Sequence, residues 1–149
     1  MKLEYTGQEQ IAASADTVWA FVKDPDRLGH CLPDVHEVAV HDATHFDAVV
    51  RVAVGLVRGK FKFKIALEPD EVTRRLTVTA SGGGLGSAVD LVAHAAVSGG
   101  ADAAVLDWDG NATMRGPVAS IGGRVLDGQA RKLVEQTFAN VRTHVGSGG

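Results

Sequence analysis

Six histidines and a single cysteine are the residues of this chain best suited to proton transfer, metal ligation or nucleophilic attack. His30 and Cys31 are adjacent and His36 lies five residues on, a grouping that invites a zinc site. Neither a Cys-x-x-Cys nor a His-Glu-x-x-His spacing accompanies them, so no metal is expected. His41 and His45 flank a turn and read as solvated surface. Cys31 has no neighbouring motif to lower its pKa, and it is expected to pack beneath two short helices. The cluster Gly82-Gly83-Gly84-Leu85-Gly86 lacks the Lys-Ser or Lys-Thr of a phosphate loop and opens no helix. It reads as a wide turn. Asp107 and Asp109 flank Trp108 on one outer strand face, where carboxylates are solvated. Lys60, Lys62 and Lys64 alternate with phenylalanines and read as a row that keeps an exposed sheet face soluble. No Ser-x-x-x-Lys or Gly-x-Ser-x-Gly element occurs. No catalytic residue is assigned and no cofactor is expected.

The elements that carry these residues follow from period and punctuation. Lys2 to Ile11 alternates like an edge strand. Ser14 is placed to cap a short helix in which Val18, Phe21 and Val22 fall at i, i+3 and i+4. Asp24-Pro25 ends it, and a further helical turn or two runs from Pro25 to His30. Strands follow: Val35 to Val40, then Phe46, Ala48, Val50, Val52 and Val54 opposite His45, Asp47 and Arg51. Phe61, Phe63, Ile65 and Leu67 alternate with lysines up to a turn at Pro69-Asp70. Leu76, Val78 and Ala80 mark the next strand, and Ala88–Val97 and Ala103–Met114 complete the sheet. After Gly116-Pro117 the period changes from 2 to 3.6. Val118, Ile121, Val125, Leu133, Phe138 and Val141 then form one stripe of a helix running from about Val118 to Val145. Gly122, Gly123 and Gly128 cost such a helix about 1 kcal/mol each relative to alanine. Their presence predicts that something packs close to the backbone there.

Strand, two short helices, six strands and a long helix make an α+β pattern, not alternating βαβ. The 149 residues suit one domain over 1–145, followed by a flexible tail over 146–149. With 45% apolar and 22% charged residues the chain reads as globular, and a net charge of -3 offers nucleic acid no attraction. No run of about 18 apolar residues is present, so no transmembrane segment is expected. The N-terminus carries no apolar signal core, and the lone cysteine suits a reducing compartment, so a cytoplasmic location is expected. An antiparallel sheet of this size curls, and inner residues such as Ala48, Ala80, Ala93 and Ala95 are small. One helix cannot fill the concave side, which predicts an apolar cavity.

Several segments together resemble the carbon monoxide dehydrogenase G-subunit family, within the START-like (SRPBCC, helix-grip) superfamily. Ile11-Ala12-Ala13-Ser14-Ala15-Asp16-Thr17-Val18-Trp19 with Asp24-Pro25 is similar to the superfamily's first strand and helix. Cys31-Leu32-Pro33-Asp34 is similar to a Cys-Ile-Pro-Gly pattern, with Asp34 in place of the glycine. Val54-Gly55-Leu56-Val57-Arg58-Gly59-Lys60-Phe61 looks like the family's glycine-spaced hairpin. Gly82-Gly83-Gly84-Leu85-Gly86 and Gly116-Pro117-Val118-Ala119-Ser120-Ile121-Gly122-Gly123-Arg124 complete the set. The resemblance spans Gln10 to Val141. It implies a helix-grip fold, a curved antiparallel sheet of six to seven strands around a long C-terminal helix. It also implies an accessory protein of a molybdenum hydroxylase complex. Many members carry an extension beyond the helix, often with a membrane-seeking end, which Gly146-Ser147-Gly148-Gly149 is not expected to supply.

The expected site lies between the long helix and the inner sheet face. The sheet contributes Val52, Phe61, Phe63, Leu76 and Val78 from its middle, and Leu91, Leu106 and Trp108 from its last strands. The helix contributes Ile121 and Val125, with Gly122 and Gly123 opening room beside Ile121. Such a lining offers few hydrogen bonds, so affinity must come from buried apolar area at roughly 25 cal/mol per Å². The expected function is non-catalytic binding of a small hydrophobic ligand, lipid- or quinone-like. Alternatives are a polyketide-cyclase-like enzyme and a protein-interaction module for molybdenum hydroxylase assembly.

Overall fold

Alternating apolar and polar residues build seven strands, and a computed structural model describes the chain over residues 1–148, with side chains as far as Val145. The order is β1 (Lys2–Ile11), α1 (Ala15–Val22), α2 (Pro25–Gly29), β2 (Val35–Asp42), β3 (His45–Val54), β4 (Val57–Asp70), β5 (Arg75–Gly84), β6 (Ser87–Gly99), β7 (Ala104–Arg115), a 3-10 turn (Pro117–Ile121) and α3 (Gly123–Gly148). The flexible tail expected over 146–149 lies outside the residues described in full. All pairings are antiparallel, in the spatial order β1-β7-β6-β5-β4-β3-β2. The helix-grip fold read from the sequence is the fold observed.

Local chemistry explains the helices. Ser14 caps α1 by accepting the Thr17 N–H at 3.0 Å, and Asp24 accepts the Asp26 and Arg27 N–H groups ahead of Pro25. Asp34 has φ 55, the left-handed conformation that favours glycine and that Asp tolerates among non-glycine residues. The aspartate that departs from the family's pattern therefore keeps the turn before β2.

Two expectations are corrected by the strand register. Gly82, Gly83 and Gly84 are not a turn; they are the end of β5, all three paired with β6 and Gly82 and Gly83 also with β4. A β-carbon on Gly82 would collide with the Lys62 carbonyl oxygen, and one on Gly83 with that of Ser87. The turn proper is Leu85-Gly86. Likewise β4 continues through Pro69-Asp70, and the chain reverses over residues 71–74.

The long helix also starts later than the periodicity implies. Residues 117–121 form a 3-10 turn, and Gly122, with φ 109, resets the chain before α3 begins at Gly123. A single 3.6-residue stripe drawn across that break is out of phase. Leu126, 5% exposed, faces inward, whereas Val125 at 49% and Leu133 stand in solvent. A β-carbon on Gly122, Gly123 or Gly128 would meet nothing within 4 Å, so these glycines mark open space and not a close approach.

Candidate ligand-binding site

Register across the sheet assembles the inner face. Val52 lies opposite Gly59 and Val50 opposite Phe61. Phe63 meets Gly82 and Leu67 meets Val78. Ala80 meets Leu91, and Val97 meets Leu106. Trp108 stands between Ala95 and Gly7. A β-carbon on Gly7 would fall 2.7 Å from the Trp108 ring, so only glycine lets the indole lie flat across β1. On the other side the Trp108 ring meets Phe138 of α3, centroids 5.6 Å apart.

The core closes in two places. A large cluster joins α1 to the inner sheet and the end of α3, through residues such as Val18, Phe46, Leu76, Leu106 and Val141. A small one, Met114, Val118 and Leu126, packs the 3-10 turn and the start of α3. Between them, Val50, Val52, Ala93 and Gly110 also face inward and are only half-buried, as Phe63, Leu91 and Trp108 are at the rim of the large cluster. These apolar side chains lie on the inner face of the sheet and are only partly covered.

Against that geometry the ten expected lining residues divide. Val52, Phe63, Val78, Leu91, Trp108 and Ile121 are half-buried on the inner side. Phe61, Leu76 and Leu106 face inward but are sealed within packing. Val125 does not join them, because the helical phase restarts at Gly122 and turns it outward; Leu126 takes the inward place.

Polar groups converge where α3 crosses the edge strand β1, and sequence reading missed them. The Tyr5 hydroxyl donates to Asp127 at 2.7 Å, Arg131 Nε donates to the same carboxylate at 3.1 Å, and the Arg131 guanidinium sits 5.1 Å from the Tyr5 ring centre. Nearer the C-terminal end of α3, Arg142 donates to Glu9 at 2.8 Å and to the Gln10 carbonyl at 3.2 Å. Trp108 Nε1 also points at Glu9, 3.4 Å away. Burial and then the Asp127 hydrogen bond raise the Tyr5 pKa, while the Tyr5 and Arg131 hydrogen bonds lower that of Asp127. A signal was present: Leu3, Tyr5, Gly7, Glu9 and Ile11 share one parity of β1, and Asp127 and Arg131 stand one helical turn apart.

The reactive residue types are all engaged elsewhere. His41 contacts Asp47 at 3.0 Å, His45 contacts Asp42 at 2.9 Å and His94 contacts Asp109 at 2.9 Å. His36 Nε2 is 3.3 Å from the Lys60 ammonium. Cys31 is buried, its carbonyl accepts from Asn140 of α3 at 3.0 Å, and burial pushes its thiol up to about 11. Among the described residues, no three His, Cys, Asp or Glu side chains group as metal ligands, and no helix is long and apolar enough to cross a membrane.

The family model of the carbon monoxide dehydrogenase G-subunit (CoxG) matches residues 7–146, nearly the whole of this sheet and helix. The chain belongs to the CoxG family. Among solved structures, a conserved protein from Geobacillus kaustophilus superposes with a TM-score of 0.87 at 20% identity, covering 97% of this chain and 96% of that one. A START superfamily protein from Mycobacterium smegmatis gives 0.74 at 16% identity, covering 98% and 99%. Norcoclaurine synthase from Thalictrum flavum, in complex with dopamine and hydroxybenzaldehyde, gives 0.67 at 18% identity, covering 99% and 88%. At these identities the likeness establishes the START-like fold of this CoxG family member. No curated protein matches its sequence.

Proposed function

We propose that this CoxG family member is a non-catalytic, cytoplasmic accessory protein. It holds a small hydrophobic body, lipid- or quinone-like, between α3 and the concave sheet, and serves a molybdenum hydroxylase complex of the carbon monoxide dehydrogenase type. The observation that supports the ligand is the half-buried apolar wall between two closed clusters, with Phe63, Leu91, Trp108 and Ile121 at its margins. Family membership supports the partner. Because the wall is apolar, the ligand would bind through area and depend little on salt.

An enzyme of the polyketide-cyclase kind would draw on Tyr5 and Asp127, which converge from sheet and helix. Their mutual bond opposes that role. Tyr5 is held protonated and Asp127 ionised, so neither is poised to exchange a proton near neutral pH.

Native mass spectrometry of the purified protein, followed by titration with a fluorescent lipid analogue, tests the reading. Phe63→Asp and Ile121→Asp variants that still fold should lose the probe. Undiminished binding by both would place the ligand elsewhere.

A further inference from the structure

Both tight hairpin turns at one end of the sheet carry a leucine in water. The β3–β4 connection is the two-residue turn Gly55-Leu56 between the paired Val54 and Val57, and Leu56 is 101% exposed. The β5–β6 connection is Leu85-Gly86, with φ 55 and 80. Two positive φ angles define a turn that favours Asn-Gly or Gly-Gly. Leu85 instead places a bulky side chain in a conformation its β-carbon resists, and leaves it 55% exposed. Unfavourable backbone and unfavourable exposure at one residue are a pattern found at functional positions.

These tips form one surface. A β-carbon on Gly59 would lie 2.9 Å from Leu85, so the β5–β6 turn leans on the start of β4. Ile121 rests against Gly55, 3.7 Å from the same construction, and Pro117 lies 3.8 Å from that on Gly86. The 3-10 turn therefore borders the two hairpin tips.

Behind the leucines stand cations. Arg58, Lys60 and Lys62 occupy the outer face of β4, and Arg51 lies directly opposite Lys60. Like charges facing across a strand pair are destabilising. Among the described residues none of these four forms an ion pair, although Lys23, Arg74, Arg115, Arg131 and Arg142 all do. In a chain of net charge -3, that is a segregation of positive charge.

We propose that this end docks on anionic phospholipid bilayers, with Leu56 and Leu85 entering the acyl boundary and Arg51, Arg58, Lys60 and Lys62 meeting the headgroups. Isolated leucines projecting from turn tips suit a fluid layer better than a protein partner, which needs a contiguous face of about 800 Å². Apolar groups in front and cations behind is the arrangement of interfacial anchors. The docking does not depend on whether the interior holds a ligand.

Co-sedimentation with phosphatidylglycerol–phosphatidylcholine vesicles, against pure phosphatidylcholine, tests it without added ligand. The wild type should bind the anionic vesicles and release as salt rises. Arg58→Gln with Lys60→Gln should weaken partition about thirty-fold. Leu56→Ser with Leu85→Asn should weaken it about ten-fold or more, by removing two inserted apolar groups. Asparagine tolerates the Leu85 backbone, so that variant keeps its fold, which circular dichroism checks. Wild-type protein that ignores anionic vesicles, as it would if the patch receives an acidic protein, overturns the proposal. Leucine variants that bind as wild type overturn it equally, leaving surface adhesion alone.

Discussion

Replacing Leu126 or its neighbour Val125 by alanine distinguishes the observed phase of α3 from the one its sequence suggests. Leu126 is 5% exposed and packs against Met114 and Val118, with Val54, Val89 and Ile121 around them. A buried Leu→Ala change costs about 2–5 kcal/mol, depending on how far the surroundings collapse. Val54, Val89 and Ile121 are themselves half-buried, so the site is loosely enclosed on that side, which places Leu126→Ala at the low end, about 2–3 kcal/mol. Val125 leaves 49% of its surface in water. Its truncation removes little packing, and alanine is the better helix former, so Val125→Ala should fall within about 0.5 kcal/mol of wild type. Urea titration followed by far-ultraviolet circular dichroism measures both. For a domain of this size the Leu126 variant should melt about 5–10 °C lower. If Val125→Ala costs as much as Leu126→Ala, the helix is turned by one residue and Leu126 does not mark its inward stripe.

Gly128→Ala should stabilise by up to about 1 kcal/mol, since its β-carbon meets nothing within 4 Å and glycine is a poor helix former. Gly82→Ala should be severely destabilising, read as loss of soluble protein or a large drop in melting temperature. The Tyr5–Asp127 clasp should be at full strength between the two groups' ordinary pKa values, 10.0 and 3.8. The carboxylate's contribution is lost as pH falls through its depressed folded value, and the phenol's as pH rises through its elevated one. A Tyr5→Phe, Asp127→Asn double variant should show a flatter stability–pH profile, measured by thermal melts; an unchanged profile would mean that the clasp contributes nothing to stability. Native Cys31, with its thiol pushed up to about 11, should resist iodoacetamide at pH 8 and react readily once unfolded; prompt modification of the folded protein would contradict its burial.

Strand parity was the most legible layer. The alternation of Phe61, Phe63, Ile65 and Leu67 with lysines is a local property, and the inner face follows from it directly. What the sequence could not show depended on contacts between distant segments. Gly82 to Gly84 look like a turn because their reason, the Lys62 and Ser87 carbonyls, lies on neighbouring strands. Val125 looks inward only if helical phase continues through Gly122, whose positive φ has no signature distinguishing it from an ordinary helix glycine. Tyr5, Glu9, Asp127 and Arg142 carry no signal when each is read alone. Their meaning arises from the crossing of β1 and α3, which are more than 100 residues apart in sequence.

The pairing of β1 with β7 sets a condition on how the protein is made. Lys2 lies opposite Thr113 and Ile11 opposite Ala104, so β1 leaves the ribosome long before the strand it pairs with. At about 5–20 residues per second the intervening roughly 100 residues take some 5–20 s to synthesise. Throughout that interval β1 is an unpaired edge, the kind of segment that recruits other chains. Its composition suits the wait. Glu4, Thr6, Gln8 and Gln10 occupy one face, and Tyr5, Gly7 and Glu9 interrupt the other between Leu3 and Ile11. A strand hydrophobic enough to hold its place early would also be one that aggregates; the β7 ladder holds it instead, and Asp127 and Arg142 add their contacts later still from α3.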